Sequence, residues 1–252
     1  MAELGKEEIH SPENPLELSE TSKMEPWQRE VDGIYKAMQY IQQKARGLKS
    51  EGLSRDDIFM VHKFVINDPL NPEKWGVLRN RSVIVRSRIK GNLVTGPKIP
   101  PDETFLSEYF NEFAGELESK SQNLSDETSV DEALSLATWV HMEFIKIHPF
   151  EDGNGRTARL LVDFIFRKSR LPYIRDWGVK NDQYKEVAYK ALSENNSDIF
   201  KLFLMHKLND RLNDVVERFA IMPQNTDGFR RYINSRRDET RTAILDLEKG
   251  VS

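Results

Sequence analysis

Residues 148–159 read His-Pro-Phe-Glu-Asp-Gly-Asn-Gly-Arg-Thr-Ala-Arg. This run places a titratable base, an acid, two glycines and two arginines close together. The glycines flank Asn154, where a helix is predicted to begin, so the backbone can approach a ligand closely while several N–H groups remain free. The positive end of the helix dipole adds to the attraction for an anion. The run therefore predicts a binding site for phosphate.

Charged side chains of the same run complete the predicted site. Arg156 and Arg159 are three residues apart, which places them on one side of the new helix, where both can hold phosphate oxygens. Asp152 is a hard oxygen ligand, placed to hold Mg²⁺ together with the phosphates of a substrate. His148 is the nearby group whose ordinary pKa lets it take a proton from a hydroxyl near neutral pH. Phosphate binding and proton transfer are thus predicted at one place.

Helices are predicted on both sides of this run. Ser129 and Glu132 form a capping box that opens a helix over residues 130–147, and Pro149 ends it. The next helix is predicted from Asn154 to about residue 169, and its apolar residues on several sides favour a central position. Further helices are predicted over 31–44, from residue 54, and over 103–120, whereas glycines and prolines between 67 and 101 predict loop and hairpin, with short strands over 82–86 and 92–95.

Composition limits the possible functions. The chain has 252 residues and a net charge of -4, which gives no general reason to bind nucleic acid. It has no cysteine, which excludes disulfides and thiolate chemistry and is compatible with a reducing cytosol. The sequence shows neither a signal peptide nor an apolar run long enough to span a membrane. These features predict a cytoplasmic protein without a membrane role, and they leave a homo-oligomer open.

The run 148–159 resembles the motif of the Fic family, His-x-Phe-x-Asp/Glu-Gly-Asn-Gly-Arg-x-x-Arg, and matches it at every fixed position. The resemblance extends from about Glu30 to Lys207. It implies an all-α Fic-type helical domain with a small β-hairpin flap. The implied organisation is a flexible leader over residues 1–29, which is a candidate for a regulatory segment, a Fic domain over 30–207 and a helical C-terminal extension over 208–252.

The resemblance also implies an activity and a role for each motif residue. The implied protein adenylyltransferase moves AMP from ATP, with Mg²⁺, to a Ser, Thr or Tyr hydroxyl of a target protein. His148 is then the general base and Asp152 the metal ligand. Residues implied to hold the nucleotide are Asp152, Gly153, Asn154, Gly155, Arg156, Thr157 and Arg159 in the motif, Thr95 and Gly96 in a flap over 95–101 that docks the target, and the adenine-contacting pair Tyr189 and Asn196.

Alternatives stay open at several of these positions. The same scaffold can transfer another phosphate-containing group or remove AMP, and a non-catalytic nucleotide-binding module is the rival from another class. Arg159 can pair with Asp163 instead of phosphate. Phe150 is better interpreted as an anchor that buries the loop than as part of the chemistry. His141 and His206 are assigned no role.

A segment ahead of the first helix resembles the inhibitory segment of some Fic proteins. Thr21-Ser-Lys-Met-Glu25 has its Ser/Thr-x-x-x-Glu spacing, although Pro26 departs from the expected pattern. One interpretation is that Glu25 pairs with Arg159 and prevents productive seating of the γ-phosphate. The other is that Glu25 is one more acid in a flexible leader.

Overall fold

The computed structural model describes residues 24–47, 51–68, 71–97, 100–180, 182–220 and 227–251. Within them the fold is helical with one antiparallel hairpin, as the sequence predicted. The helices are α1 (Pro26–Arg46), α2 (Arg55–Ile66), α3 (Glu103–Gln122), α4 (Val130–Ile147), α5 (Asn154–Lys168), α6 (Gln183–Ser193), α7 (Asp198–Ala220) and α8 (Asp227–Val251), and the strands are β1 (Arg86–Ile89) and β2 (Asn92–Thr95). None of the described helices is long and apolar enough to cross a membrane.

Helix α5 lies at the centre of the fold. It packs on α1, α2 and α4, and Leu161, Phe164 and Ile165 are fully buried. This confirms the central position predicted from its apolar sides. Because α4 ends and α5 begins within this core, the run 148–159 is held between two well-packed helices.

Two boundaries differ from the prediction. Helix α1 begins at Pro26, inside the stretch predicted to be a flexible leader, because proline is well suited to the first helical turn and the Gln28 side chain accepts a hydrogen bond from the Glu25 backbone N–H at 2.9 Å. Helix α7 runs continuously across residues 207 and 208, where the extension was predicted to begin. Its buried Leu204, Leu208 and Leu212 continue one packed face across that point.

The hairpin has a tight turn at Lys90 and Gly91, both with positive φ. Such a turn fixes the register, which pairs Arg86 with Thr95 and Arg88 with Leu93. Strand β2 lies where the sequence predicted it. Strand β1 lies later than the predicted 82–86 because the position of the turn, rather than the β-branched run, sets which residues pair.

The hairpin is attached to the helical domain at two points. At its turn the Lys90 backbone N–H donates to the Asp182 carboxylate at 2.9 Å, and the Lys185 ammonium donates to the Arg88 carbonyl at 3.2 Å. Near its base the guanidinium of Arg79 donates to the carbonyl of Pro101 at 2.6 Å. The hairpin therefore extends from the segment ahead of α3 to the start of α6.

Candidate active site

His148 is the C-cap of α4 and has a left-handed backbone with φ 49°. Its backbone N–H donates to the Phe144 carbonyl at 2.9 Å. Burial lowers the pKa of its imidazole to about 4, and the Ile145 backbone partly opposes this shift. The side chain is therefore neutral near pH 7, so it can accept a proton.

The loop that follows His148 is formed by the turn into α5. Gly153 has φ 75°, a conformation that favours glycine, and it orients the chain into the helix. The intrahelical hydrogen bonds begin with Thr157 N–H to the Gly153 carbonyl at 2.9 Å. The N–H groups of residues 154–156 precede that bond and point out of the helix end, which is the arrangement that binds an anion.

The Asn154 side chain is bonded within the loop. Its side chain is 3% exposed. The side-chain oxygen accepts from the Phe150 N–H at 3.0 Å, and the side-chain nitrogen donates to the Phe150 carbonyl at 2.8 Å. Its side-chain oxygen and nitrogen are thus both engaged within the loop, and the nucleotide contact implied for Asn154 remains a prediction. Phe150 itself is fully buried, which confirms its interpretation as an anchor.

Arg159 and Arg156 have different partners. The Arg159 guanidinium lies 4.9 Å from the centre of the Tyr184 ring, and Asp163 pairs instead with Arg167 at 2.8 Å. The suggested Arg159–Asp163 pair is therefore not formed. Arg156 donates to Glu30 of α1 at 2.8 Å and lies 3.4 Å from the Asp152 carboxylate.

Asp152 is the motif residue that the sequence assigned to Mg²⁺. Its side chain is 82% exposed, and one of its oxygens accepts from the Gly153 N–H at 2.6 Å. The described residues contain no group of three or more His, Cys, Asp or Glu that could hold a metal ion. A single exposed carboxylate beside a phosphate-binding loop fits Mg²⁺, which usually takes one or two carboxylates and completes its shell with phosphates and water.

Arg79 joins His148, the loop after it and the hairpin, and it is 4% exposed. Its guanidinium donates to the carbonyls of His148 at 2.9 Å, Arg81 at 2.8 Å and Pro101 at 2.6 Å. Its backbone N–H donates to the Pro149 carbonyl at 2.9 Å. These bonds orient the backbone on both sides of the His148 side chain.

His62 fixes the other end of the loop. Its Nδ1 accepts from the Gly76 N–H at 3.1 Å, so the proton lies on Nε2, which donates to the Asp152 carbonyl at 3.0 Å. Its ring stacks on Phe150 with 3.6 Å between the centroids. A cleft of about 710 Å³ opens beside this contact, between the start of α1, residues 73–81 and the loop, and Asp152 and Arg156 line it.

A model of the Fic/DOC family matches residues 52–166, which include His148, the loop and most of α5. The chain contains a Fic/DOC family domain. Among curated proteins, it is 31% identical over 175 residues to Protein adenylyltransferase Fic of Nematostella vectensis, which covers 69% of this chain and 36% of that protein. It is 27% identical over 175 residues to the protein of the same name from Aedes aegypti, covering 69% and 31%. The chain thus spans about a third of the length of these relatives.

Other similarities concern a different transferase and the fold. The chain is 29% identical over 126 residues to Uridine 5'-monophosphate transferase of Xanthomonas campestris, covering 48% of this chain and 22% of that protein. Solved structures of Fic-1 from C. elegans (TM-score 0.63, 20% identity, 81% of this chain and 56% of that one) and of a Fic domain containing signaling protein from Bacteroides thetaiotaomicron (TM-score 0.53, 18% identity, 85% and 72%) share its fold.

Three further residues were assigned to the nucleotide. Thr157 is turned away from the loop that opens α5, and Thr95 and Gly96 lie in the hairpin. Thr157 is fully buried, because a position three residues into α5 faces the core. Thr95 and Gly96 belong to the hairpin, where the Gly96 N–H donates to the Val85 carbonyl at 2.7 Å. Within the described ranges, no hydrogen bond or ion pair joins Thr95 or Gly96 to the Fic/DOC motif. Their nucleotide contacts remain predictions.

The two residues assigned to adenine lie at opposite ends of one short segment. Tyr189 is 37% exposed on α6, which leaves its ring available to a ligand. Asn196 caps α7, since its side-chain oxygen accepts from the Asp198 N–H at 3.0 Å. For Asn196 the structure shows a capping role, and its adenine contact remains a prediction.

The proposed inhibitory pair is absent from this structure. Glu25 is exposed and caps α1, and no ion pair joins it to Arg159 in the part of the chain that is described. Residues 21–23 of the inhibitory segment lie outside the described residues. The acid of α1 that reaches the motif is Glu30, and it contacts Arg156 rather than Arg159.

Sequence reasoning missed the support for Arg159. The Arg159 guanidinium lies over the ring of Tyr184. The Tyr184 hydroxyl is hydrogen-bonded to Nε2 of His141 at 2.8 Å. His141 is fully buried and stacks on Phe200 with 4.2 Å between the centroids. The sequence could have pointed to His141, because it lies two helical turns before His148 and therefore on the same side of that helix.

Proposed function

We propose that this chain is a protein adenylyltransferase that moves AMP from ATP to a Ser, Thr or Tyr hydroxyl of a target protein. The observation that carries the proposal is the position of a neutral, half-buried histidine at the end of α4, directly ahead of the loop whose N–H groups open α5. A base and an anion-binding helix end are the two parts that this reaction needs.

The proposed step is a displacement at the α-phosphorus of ATP. The target hydroxyl oxygen forms a new bond to that phosphorus, its proton passes to the imidazole of His148, and the bond to the leaving pyrophosphate breaks. The N–H groups of residues 154–156 and the guanidinium groups of Arg156 and Arg159 stabilise the phosphate charge. Mg²⁺, held by Asp152 and the nucleotide, supplies further charge neutralisation when it is bound.

Arg79 and His62 support this step without contacting the substrate. Arg79 holds the His148 carbonyl and His62 holds the Asp152 carbonyl, so the two ends of the motif loop are each bonded to a separate buried side chain. A base must lie within hydrogen-bonding distance of its proton, and these bonds reduce the movement of the loop that carries it.

Label transfer from nucleotides is the direct test. We expect incubation of the chain with lysate, Mg²⁺ and ATP labelled at the α-phosphate to label proteins above the level in lysate without the chain. ATP labelled at the γ-phosphate should give no label beyond that control, in which kinases of the lysate act alone. UTP labelled at the α-phosphate tests the second candidate, transfer of UMP, which the similarity to the Xanthomonas protein favours. Nucleotide binding without transfer from either donor would instead identify a non-catalytic binding module.

Arg159→Ala is expected to weaken ATP binding. Removing a hydrogen-bonding cation from a phosphate costs about 1.5 to 3 kcal/mol, which is roughly a tenfold to hundredfold increase in Kd. Isothermal titration with a non-hydrolysable ATP analogue measures it. The matched control is Arg167→Ala on the same helix, whose guanidinium bonds Asp163 and which should leave the Kd unchanged. Equal Kd values for parent and Arg159→Ala would show that Arg159 does not hold phosphate.

A further inference from the structure

The hairpin segment is the most basic part of the chain. Residues 76–100 contain no acid, although the whole chain has a net charge of -4. The basic residues in this segment are Arg79, Arg81, Arg86, Arg88, Lys90 and Lys98. Several of them are already engaged, because Arg79 bonds backbone carbonyls, Arg81 pairs with Glu151 at 3.2 Å and Lys90 pairs with Glu186 at 2.9 Å.

Arg86 and Arg88 differ from these residues. They are two positions apart on β1, so their side chains lie on the same face of the hairpin. Both are exposed, and so are their partners across the hairpin, Thr95 and Leu93. In the described residues neither arginine forms an ion pair with a carboxylate; Arg88 has only a 3.5 Å contact to the Gly91 carbonyl. This face therefore presents two adjacent cations to the solvent.

The position of the hairpin connects this face to the proposed reaction. Its base is joined through Pro101 and Arg79 to the backbone of His148. Its turn is joined to Asp182, at the start of the helix that carries Tyr184 and Tyr189. The hairpin is thus tied both to the backbone of His148 and to the start of α6.

We infer that the exposed face formed by Arg86, Arg88 and Leu93 binds an acidic segment of the target protein, next to the hydroxyl that is modified. The inference rests on the proposed function and names the class of target. Carboxylates complement the two unpaired guanidinium groups, and Leu93, 63% exposed beside them, adds an apolar contact that a polypeptide side chain can fill. The negative net charge of the chain disfavours an extended nucleic acid as the occupant.

Peptide binding tests this inference without ATP, so it does not depend on whether transfer occurs. The probe is a fluorescein-labelled peptide with a threonine among glutamates, and its matched control has glutamine in place of each glutamate. We expect the acidic peptide to bind more tightly, with an affinity that falls as salt is added. Arg86→Gln/Arg88→Gln should weaken it roughly threefold to thirtyfold, since exposed charge pairs contribute up to about 1 kcal/mol each.

Matched variants separate a docking role from general effects. Arg231→Gln/Arg241→Gln makes the same change of charge on α8, which packs on α4 and α7 away from the hairpin, and should leave the affinity unchanged. Arg86→Lys/Arg88→Lys keeps the charge and should retain most of the binding.

Four results would overturn the inference. They are no binding of the acidic peptide, equal binding of the glutamine peptide, equal weakening by the α8 variant, and binding of oligothymidylate at least as tight as that of the acidic peptide, which would identify nucleic acid as the occupant. Failure of label transfer from ATP, with acidic binding intact, would count against the proposed function and not against the docking face.

Discussion

Replacing His148 with alanine is expected to lower the rate of AMP transfer by about 10²-fold to 10⁴-fold, the usual contribution of a positioned general base. The nucleotide should still bind, because the proposed site holds the phosphates by the N–H groups of residues 154–156 and by the arginines. Label transfer from ATP gives the rate, and titration with a non-hydrolysable analogue gives the Kd. Loss of both together would contradict the assignment of His148 as base.

The pH dependence of the same reaction offers an independent check. Burial lowers the pKa of His148 to about 4, so the neutral imidazole predominates from about pH 5 upwards and activity should not fall between pH 8 and pH 5.5 through protonation of this group. An ordinary histidine would lose activity below about pH 6.5. A decline in kcat centred near pH 6.5, in protein that remains folded, would contradict His148 as a base that is neutral in this range.

Folding must be monitored in that experiment because acid also destabilises the protein. His62 and His141 have pKa values lowered to about 4 and about 3 by burial. Unfolded histidine binds a proton near pH 6.5, so the unfolded state gains protons first as the pH falls, and stability is lost below that value. The pKa of the buried Asp163 carboxyl is raised to about 6, so this group makes the folded state more stable as the pH falls below 6. It is one group against the two histidines.

Asn154→Ala is expected to lower the free energy of unfolding by about 2 to 6 kcal/mol, since each of two buried backbone groups left without a partner costs about 1 to 3 kcal/mol. These groups are the N–H and the carbonyl of Phe150. Transfer activity should be lost as well, because the loop between Phe150 and α5 sets the distance from His148 to the phosphate-binding N–H groups. Urea unfolding measures the first effect and label transfer the second.

Thr157→Val is the matched control in the same turn of α5. The Thr157 hydroxyl is buried and has no hydrogen-bond partner among the described residues, so a valine of the same shape should be neutral or stabilising. If Asn154→Ala unfolds at the same urea concentration as the parent and affects only nucleotide affinity, the Asn154 side chain holds phosphate as the motif suggested. A loss of ATP affinity in Thr157→Val would likewise restore the nucleotide role predicted for that residue.

Local patterns were enough to predict much of the helical framework. The capping box at Ser129 and the proline at 149 placed both ends of α4 correctly. The start of a helix depends on nearby side chains that bond its first backbone N–H groups, and a proline disfavours the helical conformation in the residue before it. The run 148–159 also identified the family. Strand β1 lies later than predicted because the position of the turn, and not strand propensity, sets its residues. The start of α1 was missed because it depends on the cap at Glu25.

What the sequence by itself determined is the chemistry available between His148 and Arg159 and the order of the helices around it. Only the tertiary structure decided the contacts of these side chains. It turned Asn154 and Thr157 inward, placed Arg159 on Tyr184 and brought Arg79 and His62 to the two ends of the loop. Arg79 and His62 are 69 and 90 residues from their partners in the chain. A local pattern carries no information on such contacts, because they exist only when packing of the apolar helix faces brings distant segments together.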